Sequence, residues 1–376
     1  MSPTAPKRIN YIDGFRGVAI TLVVLYHAYS RWSNLILFTK SSHNIIVFKY
    51  GWLGVQLFFL ISGYVILMSL EKSTSLINFI KKRLLRIYPA LIAASILIFI
   101  SAPLFENRPL GQPKLTDFIP SIFFVEPIWF AKIFHIKLGM IETSFWSLLV
   151  EIRFYFIFSF IYFYINKSNA TWYIFLLFIV SAILTFISNT SNNIPIRNLH
   201  LAIDIIGLQH YGWFASGGFL YQYLKDKNID ALLSSIFIGL VSVLYMSFVQ
   251  FHSMDIFIMM TTIFVLFILS SFIGKLQTLL ANKMFLFIGM ISYPLYLIHE
   301  NIMVSLILKF ENYFPKNYIL ILPLTVFGFV IILAYLFTFY IEPLMSKIIS
   351  PIFGLKTTQH SPKVLDNVEI TEDVSN

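Results

Sequence analysis

Residues 52–70 read WLGVQLFFLISGYVILMSL, an uncharged run about as long as a helix must be to cross the roughly 30 Å hydrocarbon core of a bilayer. A soluble strand would be shorter. Working outward, comparable runs recur along the 376 residues, which are 58% hydrophobic and only 12% charged, against about 25% charged in soluble domains. Short alternating strands of the kind a membrane β-barrel needs are not visible. The expected fold is therefore an all-α integral membrane bundle in which each span satisfies its own backbone.

Apolar runs and their breakers predict about ten spans, at residues 11–31, 52–70, 87–104, 145–165, 171–188, 201–224, 231–250, 255–274, 284–308 and 318–345. Residues 1–354 form one transmembrane domain on this reading, and 355–376 a polar cytoplasmic tail. Segment 105–144, with Pro103, Pro109, Pro113, Pro120 and Pro127 in or beside it, is expected to be a folded outer loop with short interfacial helices. The first run carries Asp13 and Arg16 and lacks a small-residue cleavage site, so it should persist as a span.

A net charge of +9 raises nucleic acid as a partner, but the basic residues sit in short clusters between apolar runs. Lys7, Arg8, Lys72, Lys81, Lys82, Arg83, Arg86, Lys167, Lys225, Lys227, Lys275, Lys283, Lys347, Lys356 and Lys363 all fall on the side of the termini. That asymmetry predicts cytoplasmic termini in a multi-pass protein of the cell (inner) membrane, with lipid rather than nucleic acid as partner. Cysteine is absent, which excludes disulfides, zinc thiolates and a cysteine nucleophile. No metal and no phosphate-binding glycine loop is called for.

Ionisable groups inside spans cost at least about 2.5–3.5 kcal/mol each, so each needs a reason. From Arg16 to His27 is about 16 Å of helical rise, which puts Arg16 near the inner surface and His27 in the outer half. Counting inward from Phe145 puts Glu151 roughly 9 Å below the outer surface, and His299 with Glu300 lies two thirds of the way out along its span. A shared level for His27, Glu151 and His299 predicts a polar cavity. Two readings stand: a general base, His27, oriented by a carboxylate such as Glu151, or a buried His–Glu pair that pins packing.

At the inner side, Arg83 and Arg86 lie three residues apart on one helical face beside Tyr88, a spacing that suits phosphate groups. They read equally as positive-inside anchors with Lys81 and Lys82. Asp13 and Arg16 read as a donor site or as a local i,i+3 ion pair. Ser62 and Gly63 read as helix-packing residues; Gln56, near the outer end of its span, reads as packing or cavity lining.

Taken together, YIDGFRGVAITLVVLYH (11–27), GVQLFFLISGYVI (54–66), FIKKRLLRIYPA (79–90), FWSLLVEIRFYF (145–156), ISYPLYLIHE (291–300) and YIEPL (340–344) resemble the acyltransferase 3 family of bacterial membrane enzymes that O-acylate surface saccharides. The resemblance implies an acyl-CoA donor, usually acetyl-CoA, bound from the cytoplasm, and a saccharide acceptor. It implies that Arg16 and His27 are catalytic with Glu151 beside them, and that Lys82, Arg83, Arg86 and Tyr88 bind the donor. Gln56, Trp146, His299 and Glu300 are the candidates for the acceptor side or the cavity. Where the family often has two acidic residues or a glutamine, this chain reads VEIRFYF. Direct transfer and an acyl-histidine intermediate both remain open, and a transporter or flippase is the alternative from another class.

Overall fold

A computed structural model describes residues 10–36, 39–42, 44–190 and 193–354, and among them every regular element is helical. The polar segment 355–376 and the basic residues Lys7, Arg8, Lys356 and Lys363 lie outside the described residues. The chain opens with α1 (Asn10–Tyr26), α2 (Gly54–Glu71) and α3 (Leu76–Ser101). Two short helices follow within the 105–144 segment, α4 (Phe118–Phe123) and α5 (Pro127–Phe134), then α6 (Phe145–Phe160) and α7 (Ala170–Thr190). The second half comprises α8 (Ile194–Ile206), α9 (Tyr211–Asp226), α10 (Ile229–Leu244), α11 (Met254–Leu269), α12 (Gly274–Leu280), α13 (Lys283–Met290), α14 (Ser292–Phe310), α15 (Leu322–Leu336) and α16 (Glu342–Ile349).

Among the described residues, six helical stretches are long and apolar enough to cross a membrane, or up to eight if two bent pairs each count as one span. The difference from ten expected spans has local causes. Helix α1 carries Asp13 and Arg16, and α9 is buried from Tyr211 to Tyr221, about its first three turns. A helix sheathed in protein has no lipid to satisfy, so it need not be uniformly apolar. The expected 201–224 span is two helices, because Gly207 takes φ +89° and ends α8 in the left-handed region.

The 284–308 span is also broken: α13 and the helix that begins at Ser292 meet at 72°. Helix α11 likewise bends by 106° into α12. Breaks of this kind occur at membrane depth where protein or a cavity covers the freed backbone. Segment 105–144 does contain short helices, and it packs along α3, with Phe118 against Phe99 and Phe124 against Tyr88.

Small residues set the closest approaches. A Cβ on Gly63 would fall on the Phe214 carbonyl, so α2 and α9 pack backbone to backbone. Ser62 departs from the packing role expected of it: its hydroxyl donates to Glu151 Oε1 at 2.7 Å.

Candidate active site

A histidine site begins where α1 widens. His27 opens a π turn, His27–Arg31, an irregularity often found at functional positions. Its Nδ1 lies 2.9 Å from the Val23 carbonyl, and His299 Nδ1 lies 2.8 Å from the Tyr296 carbonyl. Carbonyls only accept, so both rings carry a proton on Nδ1. His299 Nε2 is then an acceptor, and it sits 3.2 Å from His27 Nδ1, which divides its hydrogen between two partners. His27 Nε2 is left facing Glu300 Oε1 at 3.5 Å.

Glu300 is held in turn by the start of α6. Its Oε2 accepts from the Ser144 backbone N–H at 3.0 Å and from the Thr143 hydroxyl. The first N–H groups of a helix lack intrahelical partners and favour negative charge, so this end of α6 suits a carboxylate. One residue upstream of Thr143, Glu142 accepts from the Asn301 backbone N–H at 3.2 Å and from Asn301 Nδ2 at 2.7 Å. Burial, and next the neighbouring Glu300, push the Glu142 carboxyl well above the ordinary range. Glu142 and His299 are fully buried and Glu300 is 1% exposed, whereas the His27 side chain keeps 11%. Of these four, His27 is the group an incoming molecule can touch.

Below this cluster lies a cavity of about 180 Å³. One end is lined by Asp13, Arg16, Arg83 and Arg86, the wall by Ser62, Glu151 and Tyr155, and the other end by Ser147 and Tyr296. Arg16 pairs with Asp13 at 2.7 Å, the i,i+3 contact the spacing allows. The Arg83 guanidinium lies over the rings of Phe79 and Tyr155, 5.5 and 5.9 Å from their centroids. Neither Arg83 nor Arg86 forms an ion pair among the described residues. Glu151 accepts from the hydroxyls of Ser62 and Tyr155. Three guanidinium groups against the carboxylates of Asp13 and Glu151 leave the cavity basic.

The bend between α13 and α14 brings cavity and cluster together. Gly289, Met290, Ser292 and Tyr293 line the cavity at the break, and Tyr296 follows one turn later. The Tyr296 hydroxyl donates to the Ser144 carbonyl and meets the Ser147 hydroxyl at 2.7 Å, while its ring lies 5.6 Å from that of His299. One side chain thus borders the basic cavity on one side and the histidine pair on the other.

The structure joins His27, His299 and Glu300, and it separates Glu151 from them. Glu300 is fastened to Ser144, and Glu151 lies seven residues further along α6, about 10 Å of helical rise away. The carboxylate beside His27 is therefore Glu300. Arg16, Arg83, Arg86 and Glu151 share the cavity. Lys82 is exposed, and Tyr88 turns away, its hydroxyl donating to the Ile122 carbonyl at 2.7 Å and its ring against Phe124 and Phe353. Trp146 is 39% exposed and packs on Phe59 and His210. Gln56 is buried, with an Oε1 that has no hydrogen-bond partner among the described residues.

Glu142, Thr143, Ser144, Tyr155 and Tyr296 carry no candidate role in the sequence reading. An acidic residue and two hydroxyls directly before FWSLLVE are the signal that points to the first three.

The chain is 28% identical over 190 residues to O-acetyltransferase OatA of Staphylococcus aureus, covering 48% of this chain and 29% of that protein. It is 31% identical over 164 residues to peptidoglycan O-acetyltransferase OatA of Listeria monocytogenes, covering 40% of this chain and 24% of that protein. The alignments thus span less than a third of these relatives' length. No solved structure matches the chain. The acyltransferase domain family matches residues 9–342, from the start of α1 into α16 and across both the histidine cluster and the arginine-lined cavity, so the chain belongs to the acyltransferase 3 family.

Proposed function

We propose that this protein is a membrane-embedded O-acyltransferase that moves an acyl group from acyl-CoA to a hydroxyl of a cell-surface or lipid-linked saccharide. The names of its relatives favour acetyl as the group, and that of the Listeria relative favours a cell-wall saccharide as acceptor. One observation carries the reading: a single cavity has guanidinium groups at its inner end and reaches, at its outer end, the tyrosine beneath His27 and His299.

On this reading Arg83, Arg86 and Arg16 hold the phosphates of the donor. A cavity of about 180 Å³ suits an extended pantetheine arm better than a nucleotide, so the nucleotide stays at the mouth. The arm covers a rise comparable to the roughly 16 Å between Arg16 and His27. The acceptor hydroxyl enters from the outer side against His27 Nε2. Its oxygen attacks the thioester carbonyl, its proton passes to Nε2, and the C–S bond breaks. The departing thiolate takes the proton from the imidazolium, which Glu300 steadies meanwhile. Glu151 acts on the donor side, holding Tyr155 under Arg83.

The basic end is cytoplasmic by the positive-inside rule, and the histidine end faces outward. Lys82, exposed beside that end, serves as a headgroup anchor. Replacing Arg83 with alanine removes charge-assisted bonds worth about 1.5–3 kcal/mol. The acyl-CoA concentration needed for half-maximal transfer should then rise about tenfold or more, measured with labelled acetyl-CoA in membranes. An unchanged requirement would make Arg83 a lipid anchor instead.

A further inference from the structure

Glu142 takes no part in the proton and acyl movements above, yet it is buried directly beside them. Its carboxyl is tied to Asn301, the residue after Glu300, and Glu300 is tied to Thr143 and Ser144, the two residues after Glu142, so the two carboxylates are held as neighbours that feel each other's charge. The other titratable groups around the pair are His27 and Tyr26 from the end of α1, His299 and Tyr296 from α14, and Arg108 from the loop after α3. Arg108 is 8% exposed and donates to the Gly111 carbonyl at 2.9 Å. It is near enough for Glu142 to feel its charge but forms no ion pair with it among the described residues.

Two carboxylates in contact, both shielded from water, cannot both ionise unless a cation sits between them. Hydrogen-bond accounting points the same way. Asn301 serves Glu142 Oε1 from its backbone and its side chain and reaches Oε2 only at 3.4 Å, and Thr143 and Ser144 serve Glu300 Oε2, while buried Glu300 Oε1 has no hydrogen-bond donor among the described residues. A neutral Glu142 can donate to Glu300, and an ionised one can only repel it.

We infer that Glu142 is a positioning residue that retains one proton and donates it to Glu300, so that the pair presents a single negative charge to His27. This rests on the proposal that His27 is the base. Two negative charges at 3.5 Å and beyond would hold the ring permanently as imidazolium, unable to take a proton. One charge lets Nε2 alternate between lone pair and N–H.

The test combines infrared spectroscopy with activity on the full chain in membranes. At neutral pH the wild type should show the carbonyl stretch of a buried protonated carboxyl, and Glu142→Gln should lose it. Identical spectra for the two overturn the inference. In transfer from labelled acetyl-CoA to cell-wall saccharide, Glu142→Ala should fall at least about thirtyfold, and Glu142→Gln, which still donates to Glu300, should recover to within about fivefold of wild type. Glutamine as damaging as alanine also overturns it. If His27 proves not to be the base, activity loses its meaning here but the infrared band still decides the proton on Glu142.

Discussion

Alanine in place of His27 is expected to lower acyl transfer about a thousandfold or more, within the range that positioned general bases contribute. The protein should still accumulate and fold. The His27 side chain is partly exposed, and its removal leaves His299 tied through Nδ1 to the Tyr296 carbonyl and Glu300 tied to Thr143 and Ser144. The one buried atom that loses a partner is His299 Nε2, a cost of about 1–3 kcal/mol. The measurement is labelled acetyl incorporated into saccharide by membranes matched for protein content. Transfer at the wild-type rate would remove His27 from the chemistry and leave the buried cluster as a packing device.

The second large effect is expected for Glu300→Gln, at about a hundredfold or more. Glutamine keeps the size of the side chain, and its amide oxygen can still accept from Thr143 and Ser144. Two things change. The charge that steadies the imidazolium is gone, and the amide N–H can point at His27 Nε2 and occupy the lone pair that should receive a proton. The loss should appear in the maximal rate rather than in the acyl-CoA requirement, because Glu300 lies beyond Tyr296 from the donor cavity. Arg83→Ala should show the converse pattern. A rise in acyl-CoA requirement for Glu300→Gln with unchanged maximal rate would contradict the assignment of the two ends.

Much of the bundle is legible in the sequence because lipid leaves a strong compositional trace. Residues 145–165 form one continuous helical stretch, Phe145–Ile165, and 171–188 lies within Ala170–Thr190. Where helices contact protein instead of lipid the trace fades: α9 is buried from Tyr211 to Tyr221, and the break at Gly207 lies inside what reads as one run. Helical rise brings His27 and His299 to one height, as they are found. The same counting misplaces Glu151, because it refers to the outer surface, whereas the histidine cluster is fastened to the first residue before α6. Glu142 escapes sequence reading for a related reason. It sits in an irregular segment with no helical period from which depth could be counted, and only the turn of the chain before Phe145 brings it to Asn301. Ser62 shows the reverse case, a small residue read as packing that in fact satisfies a carboxylate.

The central claim is that one passage connects the guanidinium groups to His27. A cryo-electron microscopy map of the full chain with a thioether analogue of acetyl-CoA tests it most directly. The account predicts phosphates against Arg83 and Arg86, the arm running past Tyr155, and Tyr296 displaced so that the carbonyl analogue lies within about 4 Å of His27 Nε2. An analogue bound with its acyl end away from His27, or with Tyr296 and Ser147 still closing the cavity above it, would contradict the account.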